Sequence, residues 1–221
     1  HGTDTLAYSA AALSFLLLGL PVPILLTGSM LPAGAPGSDA WDNLCGALRQ
    51  FDHPLEAGVQ LYFAGKLLHG CRASKLRSEA FDAFAALPRH RQSEHEAPLP
   101  AHLGYQQPRQ RVNLAVVPVF PGFQAGHLEA LLGSGVQGLL LECYGSGTGP
   151  SDDQALLDTL RAARQRGVML VAISQCPEGD VVFDTYAAGS RLRAAGLVSG
   201  GGMTREAALG KMFALLGAGL D

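Results

Sequence analysis

The stretch VNLAVVPVFPGFQAGHLEALLGSGVQGLLLECYGSGTGPSDDQALLDTLRAARQRGVMLVAI, residues 112–173, decides the fold class. It holds three short apolar runs: VNLAVVPVF at 112–120, VQGLLLE at 136–142 and VMLVAI at 168–173. Each has the length and composition of a buried strand. Helical patterns lie between them, near 125–133 and over about 152–166. Short strands alternating with helices predict parallel sheets, with ligand sites at the carboxyl ends of the strands. Downstream, helices are expected near 186–195 and at 204–216, the last one capped by Thr204.

The same alternation runs upstream. From Thr5 to Leu18 the pattern is helical, with Leu6, Ala10, Leu13 and Leu17 on one face and Pro21 as the stop. Val22–Thr27 reads as a buried strand running into Gly28-Ser29, and Asp39 as the cap of a helix reaching about Phe51. Val59–Phe63 is the next strand, Lys66–Lys75 a hairpin or bent connection, and Ser78–Leu87 a short helix. Composition shifts at Pro88. Residues 88–111, PRHRQSEHEAPLPAHLGYQQPRQR, carry no sustained apolar period and read as a linker. The expected organisation is therefore α/β: an N-terminal domain over 1–87, expected to be incomplete at its start and the larger once that opening segment is counted, a linker over 88–111, and a smaller C-terminal domain over 112–221. Both domains are expected to be three-layered with mainly parallel sheets.

Composition narrows the function. Glycine supplies 28 of 221 residues, well above the usual share of about 7%, and 48% of the chain is hydrophobic against 16% charged. That is a folded, glycine-punctuated chain. A net charge of −3 carries no basic footprint for nucleic acid or an anionic membrane. The longest apolar run, Ala10 to Leu20, is too short to span a bilayer. Cys45, Cys71, Cys143 and Cys176 are far apart and read as reduced, buried thiols. His90, His95 and His102 are spaced too irregularly for a metal site and read as solvated surface.

Three positions could carry chemistry. Thr3 and Asp4 stand in a turn just before a helix, where backbone N–H groups favour negative charge. They serve either as N-caps or as a hydroxyl beside a carboxylate. Lys75, in Cys71-Arg72-Ala73-Ser74-Lys75, is either solvated or placed to share protons with such a pair. Gly28-Ser29-Met30, at a strand end, either forms a tight turn or turns backbone groups toward a ligand. The loop Gly145–Pro150 lacks the spacing of a nucleotide-phosphate cradle.

In order along the chain, several segments resemble the type I (cytosolic) L-asparaginase family. They are His1-Gly2-Thr3-Asp4-Thr5, Leu25–Ser29, Ser38-Asp39 with Asn43-Leu44, Ser74-Lys75, Phe81–Phe84 and Phe120-Pro121-Gly122. Tyr144–Pro150, Gln175-Cys176, Tyr186–Gly189 and Ser199–Ala208 extend the likeness over nearly the whole chain. The resemblance implies hydrolysis of L-asparagine to L-aspartate and ammonia through a threonine acyl-enzyme, with no metal or cofactor, in a cytoplasmic homodimer or homotetramer. It implies catalytic roles for Thr3, Asp4 and Lys75, and substrate binding by Thr3, Asp4, Ser29 and Met30. The family's second active-site threonine, on a Gly-Thr-Ile loop, is expected upstream of His1. Where some bacterial members bind a second, regulatory asparagine through an Arg, this chain has Glu142, whose charge is expected to repel that ligand. Two other readings share these residues: a related glutaminase or amidotransferase subunit, and a non-catalytic amino-acid-binding protein.

Overall fold

The computed structural model describes residues 1–88 and 98–220. They fall into two compact units, one holding 1–87 with 98–108 and the other holding Pro88 with 109–220. His90 and His95, with the rest of 89–97, lie outside the described residues. Within the expected linker, the Tyr105 N–H donates to Leu18 in the first unit and the Gln110 N–H to Gly217 in the second. Among the described residues no helix is long and apolar enough to cross a membrane.

The first unit centres on a mixed sheet of β1 (Pro23–Leu26), β2 (Gly58–Phe63) and β3 (Lys66–His69). β1 and β2 are parallel, and β3 returns antiparallel. In β2 alternate side chains point inward, so Val59, Leu61 and Phe63 pack on Leu6, Ala7 and Ala10 of helix α1 (Thr3–Leu16). Helix α2 (Ala40–Arg49) also meets β2. There Gly46 lets the Tyr62 ring lie against the helix, because a Cβ would stand 2.2 Å from the Tyr62 hydroxyl oxygen and push the ring aside. The β2–β3 turn, Ala64-Gly65, has φ of 48° and 77°, the positive pair that a two-residue hairpin favours. A second ribbon pairs β4 (Ala73–Lys75) with β5 (Phe84–Ala86), antiparallel.

The second unit is the predicted alternation. β6 (Leu114–Pro118), α3 (Ala125–Leu132), β7 (Gly138–Cys143), α4 (Gln154–Gln165), β8 (Met169–Ser174), α5 (Ala187–Ala194), β9 (Val198–Ser199) and α6 (Arg205–Gly217) follow in order. Its four strands are parallel and lie in the order β6-β7-β8-β9. Leu139, Leu141, Leu170 and Ala172 share one core with Leu128 and Leu132 of α3 and Leu156 and Leu160 of α4. Leu140, Val171 and Ile173 share another with Ala208 and Met212 of α6. β7 is buried along its whole length, as a strand covered on both faces must be. Thr204 caps α6 as expected, accepting from the Ala207 N–H at 3.0 Å.

Four local expectations are corrected. Residues 78–87 form no helix. Phe84 is buried in β5, its ring 4.9 Å from that of Phe63, so strand pairing and core packing override a helical local pattern. α1 begins at Thr3, with Gly2 as its N-cap, so Thr3 and Asp4 lie inside the first turn. Asp39 holds the cap position of α2, yet its side chain makes no cap bond. Of the cysteines only Cys143 is buried, Cys71 being half-buried and Cys45 and Cys176 exposed; burial pushes the Cys143 thiol up to about 12.

Candidate active site

The site is assembled where β1 ends. Beyond Leu26 the chain runs through Thr27, Gly28 and Ser29, and the opening residues lie alongside it. Gly2 pairs with Ser29 in a parallel bridge, and the His1 backbone nitrogen donates to the Thr27 carbonyl oxygen at 3.2 Å. Position 28 must be glycine for this approach, since a Cβ would stand 2.1 Å from the His1 carbonyl oxygen. Thr27 is tied in turn to β2, its hydroxyl donating to the Tyr62 carbonyl at 2.8 Å.

From Gly2 the chain enters α1, placing Thr3 and Asp4 at the positive end of the helix. Leu6 of α1 and Ala73 of β4 are both fully buried in the same core, which fixes the helix start against the ribbon that carries Lys75. The Lys75 Nζ donates to Thr3 Oγ1 at 2.9 Å and meets Asp4 Oδ1 at 2.9 Å. Lys75 keeps 21% of its side chain exposed and Asp4 94%. The ammonium is thus largely shielded while the carboxylate stays open to a ligand. The hydrogen bond from Lys75, and then its charge, hold the Asp4 carboxyl below the usual carboxylate range.

Of the residues singled out in the sequence, Thr3, Asp4 and Lys75 are brought together by direct contact. Ser29 adjoins them through its bridge to Gly2. Met30 is directed elsewhere: its N–H donates to both carboxylate oxygens of Asp39, at 3.0 Å each. The network behind that bond was not anticipated. Asn43, buried, donates to the Gly28 carbonyl at 2.9 Å and to Asp39 at 3.0 Å, and accepts from the Ala64 N–H at 2.9 Å. The available signal was the Asp39/Asn43 spacing of four, which puts both on one helix face.

In the second unit the Gly145–Pro150 loop is a closed turn, Tyr144 bridging Thr148, packed so tightly that a Cβ at Gly147 would lie 2.5 Å from Val181. The free charge expected at Glu142 is instead matched. Arg205 grips the carboxylate with both arms, Nε to Oε1 at 2.6 Å and Nη2 to Oε2 at 2.8 Å. Among the described residues no group of three or more His, Cys, Asp or Glu is placed to hold a metal ion.

Comparison with known proteins gives the family of the chain. The family described as "Asparaginase, N-terminal" matches residues 1–96, and "Glutaminase/Asparaginase C-terminal domain" matches 113–221. The chain is 37% identical to L-asparaginase 1 of Escherichia coli K12 over 232 residues, covering all of this chain and 68% of that protein. It is 36% identical to the human 60 kDa lysophospholipase, covering 98% of this chain and 39% of the relative. The crystal structure of L-asparaginase I from Vibrio cholerae superposes with a TM-score of 0.83 at 34% identity, over 98% of this chain and 68% of that one. The fold is asparaginase-like, and the chain belongs to the type I L-asparaginase family.

Proposed function

We propose that the protein hydrolyses L-asparagine to L-aspartate and ammonia through a threonine ester. One observation carries the reading: in a chain of this family, the Lys75 amine stands 2.9 Å from both the Thr3 hydroxyl and the Asp4 carboxylate. A threonine hydroxyl is a weak nucleophile until a base takes its proton. As the Thr3 oxygen attacks the carboxamide carbon, Lys75 Nζ passes one of its protons to the Asp4 carboxylate and accepts the hydroxyl proton in its place. The C–N bond then breaks, the nitrogen leaves with a proton as ammonia, and the aspartyl group remains as an ester. Water cleaves the ester, releasing aspartate and restoring the hydroxyl. Asp4 keeps Lys75 oriented and presents its exposed carboxylate to the substrate α-ammonium. Backbone groups at Ser29 border the substrate amide, with Met30 beside them held through its N–H to Asp39.

By the same reading, domains over 1–87 and 112–221 flank a linker over 88–111, and the protein works in the cytoplasm as a homodimer or homotetramer. Trapping tests the chemistry. With L-asparagine and hydroxylamine, an ester route yields aspartyl β-hydroxamate in competition with aspartate. Ammonia released without hydroxamate at high hydroxylamine would count against the ester. A protein that binds aspartate but releases no ammonia would support the non-catalytic reading.

A further inference from the structure

We infer that Asp39 and Asn43 are positioning residues for the reaction, acting through the loop Gly28–Leu31; the inference rests on the asparaginase reading above. A residue at a helix N-cap ordinarily gives its side chain to the first-turn amides. Asp39 gives up that bond, and the Ala40 N–H takes the Ser38 hydroxyl instead, at 3.1 Å. Both Asp39 oxygens go to the loop, accepting from the Met30 N–H at 3.0 Å and the Leu31 N–H at 3.1 Å.

Asn43 completes the arrangement from the same face of α2. Its amide nitrogen donates to the Gly28 carbonyl and to Asp39, and its oxygen accepts from Ala64, the residue of positive φ that opens the β2–β3 turn. Ser38 adds a bond from its hydroxyl to the Leu31 carbonyl at 3.1 Å. The loop is thereby held at the Gly28 carbonyl, the Met30 and Leu31 N–H groups and the Leu31 carbonyl. The Gly2–Ser29 bridge hands that position on to the residue preceding Thr3. A buried amide that ties the Gly28 carbonyl to Asp39 and Ala64, and a carboxylate that accepts from the Met30 and Leu31 N–H groups, fix where the backbone of Ser29 stands, while leaving Thr3, Asp4 and Lys75 untouched.

Steady-state kinetics on L-asparagine, with amide hydrogen exchange at Met30 and Leu31, tests this. Asp39→Ala and Asn43→Ala are expected to raise KM about tenfold while kcat stays within about threefold, the signature of lost substrate positioning. Exchange at both amides speeds up in parallel. Asp39→Asn keeps a carbonyl acceptor and the shape, so it recovers most of the KM, and it carries the test where an alanine variant does not fold. An unchanged KM in variants with a lowered melting temperature overturns the inference and leaves a merely structural pair. Wild-type protein that releases no ammonia refutes the asparaginase reading instead. Exchange then decides alone: lost protection in Asp39→Ala supports the clamp, and equal protection overturns it.

Discussion

Removing the two partners of the Glu142–Arg205 pair one at a time should produce unequal losses of stability. The Glu142 side chain is only 6% exposed, whereas that of Arg205 is 50% exposed. In Arg205→Met the carboxylate loses a two-armed partner and has little access to water. Breaking a fully buried pair this way costs about 3–5 kcal/mol. Because one side of this pair is open to solvent, the cost falls below that range, to about 2–3 kcal/mol. In Glu142→Gln no buried charge is stranded, the guanidinium is half-exposed, and the amide oxygen still accepts one bond from it. The loss there is about 1 kcal/mol, close to the net worth of an ordinary hydrogen bond. Urea unfolding at neutral pH, followed by circular dichroism, compares the two through their midpoints at constant m. Equal losses, or a larger loss for Glu142→Gln, would refute the reasoning that the stranded buried charge dominates.

Three further outcomes are expected. Gly28→Ala should lower ammonia release more than it lowers the melting temperature, because its Cβ would stand 2.1 Å from the His1 carbonyl and push apart the strand end that leads to Thr3; retained activity would contradict that close approach. The Asp4 carboxyl is held low by Lys75, so this bond stabilises the fold above the usual carboxylate range and is lost as pH falls below it. Carbon-detected NMR titration should show the Asp4 midpoint rising in Lys75→Met, and an unmoved midpoint would remove Lys75 as the cause. Burial pushes the Cys143 thiol up to about 12, so iodoacetamide at mildly alkaline pH should label the exposed Cys45 and Cys176 and spare Cys143. Equal labelling would mean that the second core opens readily.

The second unit was legible because its strands bury both faces: runs such as VQGLLLE have no competing pattern. β9 leaves no pattern in the sequence because Val198 and Ser199 are two residues among glycines, too short to show a period. In the first unit, Phe81 and Phe84 stand at helical spacing, and nothing local reveals that Phe84 packs on Phe63. The start of α1 leaves no cap signal in the sequence, because Gly2 caps the helix without a side chain. The contact of Thr3 and Asp4 with Lys75 spans more than seventy residues. No periodicity encodes it: the residues by themselves leave Lys75 either solvated or beside such a pair, and the family likeness selects the second. The Asp39–Asn43 bonds escaped for another reason. Their spacing suits an ordinary helix start, and only the fold shows that the side chains face the loop.

The central claim is that Lys75 serves Thr3 in asparagine hydrolysis, and the most direct test is kcat for ammonia release from L-asparagine by wild type and Lys75→Met. Positioned proton transfer contributes about 10²- to 10⁴-fold, so kcat should fall by about that factor while the protein stays folded and still binds L-aspartate. A folded Lys75→Met protein that releases ammonia at close to the wild-type rate would contradict the account.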